Sequence, residues 1–220
     1  MTVPAREVRA VVFDLWDTLV EWPQAEWDAM KRDFAERLGL PLTRFEQLWL
    51  ETYSLRETGR LEHSFELLGA DDTAIAEFVE RRYAIVRRAL VPRAGAIETL
   101  DELRTRGLGL GLISVCGDEV PELWPQTPFA GRFDVEVFSA VCGLMKPDPE
   151  IYLLALRELG VEATGALFVG DGANDELPGA QRVGMEPVLI HHPGEPPPWD
   201  TLVDWTGLRV TSIPEVLELL

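Results

Sequence analysis

The sequence predicts an α/β protein: a three-layer core on a parallel sheet, with a block of helices inserted after the first strand. Three observations carry this. The apolar run Val11-Val12-Phe13 stops abruptly on the polar cluster Asp14 to Thr18, as a central strand covered on both faces does when it delivers a site at its carboxyl end. From about Pro92 onward, apolar strand-like runs alternate with amphipathic helical stretches, the rhythm of right-handed crossovers between parallel strands. Between them, from Pro23 to about Leu90, every periodic segment is helical. A helical stretch of that length with no strand signal suits an inserted cap better than the next unit of a sheet. The expected division is residues 1–20 and 91–220 for the core and 21–90 for the cap.

In the helical block, Trp27, Met30, Phe34 and Leu38 recur at spacings of three and four, with Gly39 as a stop. Phe45, Leu48, Trp49 and Tyr53 repeat the pattern after Thr43, and Ile75, Phe78, Val79, Tyr83 and Val86 follow the start signal Asp71-Asp72-Thr73. Such stripes are packing faces, so the Trp and Phe residues here are assigned no chemistry. The core resumes at Pro92-Arg93-Ala94-Gly95, with a helix from Ile97 to Arg106 closed by Gly107 and a strand from Leu108 to Val115. Further strands are expected near Val135–Ser139, Ala166–Val169, Pro187–Ile190 and Leu208–Val210, and helices near Pro149–Leu159, Leu177–Val183 and Pro214–Leu220. The Pro-rich run Gly194 to Pro198 reads as a surface loop.

Composition narrows the partners. The 220 residues suffice for one sizeable α/β domain or a core with a smaller insert. With 20 basic against 38 acidic residues, the formal charge of −18 opposes binding to nucleic acid or to anionic lipid. No apolar run reaches the ~18 residues a bilayer requires, and Met1 to Glu7 lacks an apolar signal region, so a cytoplasmic protein is expected. Cys116 and Cys142 form no metal-ligand pattern and read as reduced thiols.

Polar residues cluster at the ends of predicted strands. Asp14 follows the first, Ser114 ends Leu110-Gly111-Leu112-Ile113, and Asp171 ends Ala166-Leu167-Phe168-Val169-Gly170, with Asp175 and Glu176 shortly after. Lys146 lies in Gly143-Leu144-Met145-Lys146-Pro147-Asp148-Pro149. An ionised carboxylate at the end of a doubly covered strand is costly without a partner, which a site explains better than packing. Phosphoryl transfer needs a nucleophile, donors for the non-bridging oxygens and a divalent cation against charge repulsion. Asp14 can attack phosphorus, Ser114 offers a hydroxyl, Lys146 a compact positive charge, and Asp171 with Asp175 or Glu176 the oxygen ligands that Mg²⁺ prefers.

The stretch Asp14 to Thr18 resembles the first motif of the haloacid dehalogenase superfamily; Ser114 falls where its second lies, and Gly143 to Tyr152 and Phe168 to Ala180 resemble its third and fourth. Four motifs in order across nearly the whole chain imply the family's Rossmann-like core with a helical cap. They also imply Asp14 as nucleophile, Thr18, Ser114 and Lys146 as phosphate-binding groups, and a Mg²⁺ site made by Asp14, the Trp16 backbone carbonyl, Asp171, and Asp175 or Glu176, with Asp175 slightly favoured. The expected substrate is a small phosphorylated molecule.

One departure governs the chemistry. Trp16 stands where the family's phosphatases carry a second catalytic Asp, and Asp17 fills a place that is usually small. An indole N–H donates only and has no useful acid–base chemistry, and loss of a positioned acid costs about 10² to 10⁴ in rate. The resemblance therefore implies a phosphatase that is slow or restricted to good leaving groups. A binder of phosphorylated ligands without turnover ranks second, and a 2-haloacid dehalogenase third, because Asp171 and its acidic neighbours look built for a metal. A phosphonate-cleaving enzyme would need a cap lysine, and the cap offers only Lys31. Arg56, Arg60 and His63 are the candidate cap residues for contact with the leaving group, although a solvated helix end is the commoner role for each type.

Overall fold

The computed structural model describes residues 7–195 and 204–220. Met1 to Arg6 and the prolines 196–198 of the Pro-rich run lie outside the described residues. The sheet is six-stranded and parallel, in the order β3-β2-β1-β4-β5-β6, with β1 Ala10–Phe13, β2 Gly109–Ser114, β3 Val135–Phe138, β4 Ala166–Gly170, β5 Glu186–Ile190 and β6 Leu208–Val210. β1 is flanked by β2 and β4, with Phe13 in register with Leu112 on one side and Val169 on the other. The predicted α/β core is therefore the observed one.

The alternation along β1 sets the layers. Val11 and Phe13 join one apolar cluster, which extends through Leu100 and Leu103 into the helices before residue 90, whereas Ala10 and Val12 join another with Ile151, Tyr152 and Ala180. Gly111 of β2 leaves room for this second layer: a Cβ there would lie 3.1 Å from Val12 Cγ2 and 3.2 Å from Leu159 Cδ1.

Five helices separate β1 from the core's return: α1 Gln24–Arg37, α2 Leu42–Glu51, α3 Tyr53–Glu57, α4 Leu61–Leu67 and α5 Asp72–Ala89. Asp71 caps α5 by accepting from the Ala74 N–H at 2.8 Å, and Gly39 takes φ +65° after α1, as their sequence signals predict. Phe45, Phe65 and Phe78 are fully buried between these helices, each contributing about 1.5–3 kcal/mol of transfer free energy. The stripe from Phe45 to Tyr53 is divided between two helices, because the chain leaves helical geometry at Thr52, whose hydroxyl donates back to the Leu48 carbonyl at 2.9 Å. The two linkers touch where Arg93 N–H donates to the Leu19 carbonyl at 2.8 Å.

The core continues with α6 Ala96–Thr105, α7 Glu119–Leu123, α8 Ser139–Cys142, α9 Pro149–Leu159 and α10 Glu176–Val183. Ser139, expected to end a strand, begins α8, and the expected C-terminal helix is a 3₁₀ segment, Ile213–Leu219. Among the described residues, no helix is long and apolar enough to cross a membrane.

Candidate active site

β1 ends at Phe13, and Asp14 extends its ladder by one bond, its N–H donating to the Val169 carbonyl at 2.9 Å. The chain then turns sharply. Leu19 N–H returns to the Leu15 carbonyl at 2.8 Å, Asp17 takes the left-handed φ of 53°, and its carboxylate accepts from the Trp22 N–H at 2.8 Å. Asp tolerates that backbone region and closes such turns with its own side chain. The turn leaves the Asp14 carboxylate buried at the carboxyl edge of the sheet, 4% exposed.

Lys146, from the loop before α9, is bonded to Asp14 Oδ1 and to Glu176 Oε2, the latter at 2.5 Å. Glu176 opens α10 and folds back, so that its Oε1 also accepts from the Gly172 N–H at 2.9 Å. Gly170 makes this possible, since a Cβ there would lie 2.0 Å from Glu176 Oε1. The Tyr152 hydroxyl holds the same turn by donating to the Glu176 carbonyl at 2.9 Å. Asp171, just past β4, is pinned by the Ala173 N–H at 3.0 Å. Carboxylate oxygens of Asp14, Asp171 and Glu176 all lie within 4.8 Å of one another.

Burial, and then the neighbouring Asp14 charge, push the Glu176 carboxyl well above the usual carboxylate range despite Lys146. Burial works against the Lys146 ammonium, but Asp14 and Glu176 outweigh it and raise its pKa, which holds it charged. Three converging acidic oxygens fit a hard divalent cation, whose charge would relieve the repulsion that raises Glu176. Ser114, at the end of neighbouring β2, and Thr18, at the end of the turn, are both fully buried, and neither hydroxyl has a hydrogen-bond partner among the described residues. An unsatisfied buried hydroxyl costs about 1–3 kcal/mol, and neither residue is among those lining the cavity beside Asp14.

A cavity of about 540 Å³ opens on Asp14, Lys146 and Asp171 and runs between the sheet edge and the helices of residues 21–90. Five carboxylates line it against three cations, Lys31, Arg82 and Lys146. Arg82 is already neutralised, at 2.7 Å from Glu119 and 3.6 Å from Glu57. Trp16 lines this cavity half-buried, its ring 5.1 Å edge-on from Trp22.

The structure thus brings together Asp14, Lys146 and Asp171, with Glu176 as the second acid. The slightly favoured Asp175 is exposed and caps α10 from a left-handed conformation, so of the two alternatives only Glu176 reaches the cluster. None of the three candidate cap residues reaches the cavity, and Arg60 and His63 take the solvated role. Arg56 is 2% exposed, stacked 3.8 Å over the Trp49 ring and bonded to Glu57; Arg60 is paired with Glu62 at 3.0 Å on the surface; and His63 is exposed. Trp22 and Trp27 do line it. Trp27 carried no sequence signal of its own, because its spacing is that of a packing stripe.

A haloacid dehalogenase-like hydrolase family model matches residues 8–184. The chain belongs to this family and is a hydrolase. It is 30% identical over 202 residues to a protein from Methanopyrus kandleri named glyceraldehyde 3-phosphate phosphatase, spanning 83% of this chain and 84% of the relative. It is also 29% identical over 213 residues to (S)-2-haloacid dehalogenase 4A from Burkholderia cepacia, spanning 88% and 87%. In fold it is similar to a crystal structure of a HAD phosphatase from Thermococcus onnurineus, with a TM-score of 0.69 at 23% identity over 96% of this chain and 97% of that one. Near the start of the matched stretch the Asp14 carboxylate is buried, and an indole, Trp16, follows two residues on.

Proposed function

We propose that this hydrolase is a Mg²⁺-dependent phosphatase acting on a small phosphorylated molecule through an aspartyl-phosphate on Asp14. The observation that carries the reading is the buried group of Asp14, Asp171 and Glu176, with oxygens within 4.8 Å of one another and Lys146 bonded into it. Two hydroxyls without partners, on Ser114 and Thr18, suit the non-bridging oxygens of a phosphoryl group. The phosphatase name of the Methanopyrus relative points the same way.

Asp14 attacks phosphorus through a carboxylate oxygen, the ester oxygen departs, and water then cleaves the acyl phosphate to release inorganic phosphate and regenerate Asp14. Lys146 and the hydroxyls of Ser114 and Thr18 hold the phosphoryl oxygens. Asp14, Asp171, Glu176 and the Trp16 backbone carbonyl would hold the metal, which when bound offsets the repulsion between a dianion and the carboxylate-rich cavity. Trp16 supplies no proton, so the leaving group departs as its own basicity allows, and turnover is slow or confined to good leaving groups. In this reading residues 21–90 form a cap domain over a core of residues 1–20 and 91–220, and the cavity between them holds the leaving group.

Trp16 and the Burkholderia relative favour carbon–halogen cleavage as a second reading, which the carboxylate cluster disfavours because that displacement needs no metal. A screen of phosphate esters and acyl phosphates with and without Mg²⁺, with Asp14→Asn as control, tests the proposal. Phosphate release that requires Mg²⁺ and Asp14 is expected. Binding without release would favour a non-catalytic phospho-ligand binder, and metal-independent halide release from 2-haloacids would favour the dehalogenase.

A further inference from the structure

Part of the cavity wall is aromatic. Trp16 from the turn after β1, Trp22 from the linker and Trp27 from α1 form a ladder, with Trp16 and Trp22 edge-on at 5.1 Å and Trp22 and Trp27 stacked at 5.3 Å, 26° apart. All three line the same cavity as Asp14 and Lys146. Trp27 is 3% exposed with the Arg82 guanidinium 4.9 Å from its ring, so this rung is fixed, whereas Trp22 is half-buried and retains open surface. Trp27 also carries a buried indole N–H with no hydrogen-bond partner among the described residues, a donor that a ring oxygen or nitrogen of a ligand would satisfy.

Several polar groups lining the cavity already have partners, and Lys31 lies 3.9 Å from Asp28. The Gln24 amide donates to Asp28 at 2.8 Å, the Asn174 amide to the Tyr53 hydroxyl at 3.3 Å, and the Asp17 carboxylate accepts from the Trp22 N–H at 2.8 Å. Arg82 is held by Glu119 and Glu57. A polyol leaving group would have to share these groups with their present partners, whereas a flat ring makes no such demand. The first motif adds an independent constraint, because the place of the general acid is taken by an indole, and aryl oxides leave without protonation more readily than alkoxides.

We infer that the substrate is an aryl phosphate, or a phosphate ester of comparably flat and acidic leaving group, whose ring seats against Trp22 in the Trp16–Trp22–Trp27 ladder. This rests on the phosphatase reading and names its substrate class. Trp22 is then a specificity-determining residue and Trp27 the rung that supports it. Aromatic rings in edge-on or offset-stacked pairs gain beyond the area they bury, and that gain sets the size of the expected preference.

The test compares 1-naphthyl phosphate with hexafluoroisopropyl phosphate, whose alcohol is about as acidic as 1-naphthol but not flat, in the wild type, Trp22→Leu and Trp22→Phe. Alongside, calorimetry compares benzylphosphonate with cyclohexylmethylphosphonate, which cannot turn over. Thermal melts verify that the variants fold. Expected is a wild-type kcat/KM about three- to tenfold higher for the naphthyl ester, carried in KM, lost in Trp22→Leu and restored in Trp22→Phe, with the same order in phosphonate binding. Equal kcat/KM for the two esters would overturn the aromatic seat and leave the phosphatase reading standing. Preferential binding of benzylphosphonate with no ester turned over would overturn the phosphatase reading and support the seat, and no ring preference in either assay would overturn the seat.

Discussion

Lys146→Met replaces a buried cation by a side chain of similar length and no charge. The lysine side chain is 3% exposed, and its partners Asp14 and Glu176 are 6% and 1% exposed, so neither carboxylate can turn to water. Breaking a buried pair by removing one partner costs about 3–5 kcal/mol, because the remaining charge is left uncompensated. At roughly 2–4 °C per kcal/mol for a chain of this size, the unfolding midpoint falls by about 6–20 °C in EDTA at pH 8. Two things should reduce that fall. Acid should, because the Glu176 carboxyl, already raised by burial and by Asp14, takes up a proton. Millimolar Mg²⁺ should also, because a cation among Asp14, Asp171 and Glu176 replaces the lost charge. Scanning calorimetry of wild type and variant at pH 5.5 and pH 8, with EDTA or Mg²⁺, is the assay. A fall of under about 2 °C, or one of equal size under all four conditions, would refute the argument that Lys146 neutralises a strained carboxylate pair.

Three further outcomes follow from the same geometry. Ser114→Ala should leave the unfolding midpoint unchanged or higher, since the Ser114 hydroxyl has no partner, yet weaken binding of inorganic phosphate in the presence of Mg²⁺ by about tenfold or more; calorimetry reads both. Asp171→Ala should weaken Mg²⁺ binding by more than about tenfold, whereas Asp175→Ala, at an exposed position, should titrate like the wild type. In pH dependence, Glu176, Glu119, Asp118 and Asp17 all have folded-state pKa values raised, chiefly by burial. The folded chain therefore binds more protons than the unfolded one, so their contribution is fully present below pH about 4 and is lost as pH rises through the raised values. Lys146, raised by Asp14 and Glu176 against its burial, loses its contribution only in strong alkali. These carboxyls favour a higher midpoint in EDTA at pH 5.5 than at pH 8, while His192, whose pKa is lowered chiefly by burial, works the other way as pH falls below about 6.5, so the expected rise should be larger in a His192→Gln variant.

The core was legible because its signals are local. β1, β2, β4 and β5 are mainly apolar runs, and Asp14, Ser114 and Asp171 stand at strand ends where the chain itself announces them. The choice between Asp175 and Glu176 was not local. It depends on the chain passing through left-handed Asn174 and Asp175, which turns Asp175 outward and lets Glu176 fold back over Gly170. The contacts around the leaving group were further out of reach, because α3 and α4 are short and their order around the cavity is fixed by packing. Arg56 looked like an exposed basic group and is instead clamped on Trp49, whereas Trp27, which looked like packing, lines the cavity beside Trp22. Identical residue types serve either purpose, and only the tertiary arrangement separates them.

The seam between residues 21–90 and the core is built from charge as much as from apolar surface. Arg82 reaches Glu119 at 2.7 Å, the Tyr83 hydroxyl donates to Glu122 at 2.7 Å, and the Ser139 hydroxyl donates to the Glu57 carbonyl at 2.5 Å. It is tightly fitted, since a Cβ on Gly117 would lie 2.2 Å from Glu119 Oε2 and 2.9 Å from Arg82 Nη2. Yet Glu119 Oε2 and Asp118 Oδ1 have no partner among the described residues, and burial raises both carboxyls. Ion pairs in such a place recover hydration when they separate, which offsets much of what is lost. An all-apolar seam of the same area would recover nothing. If residues 21–90 open as a lid under the proposed reading, a seam closed by Arg82, Glu57 and Glu119 should part at lower cost than one closed by three leucines, and faster hydrogen exchange at this seam than in the sheet is the expected result.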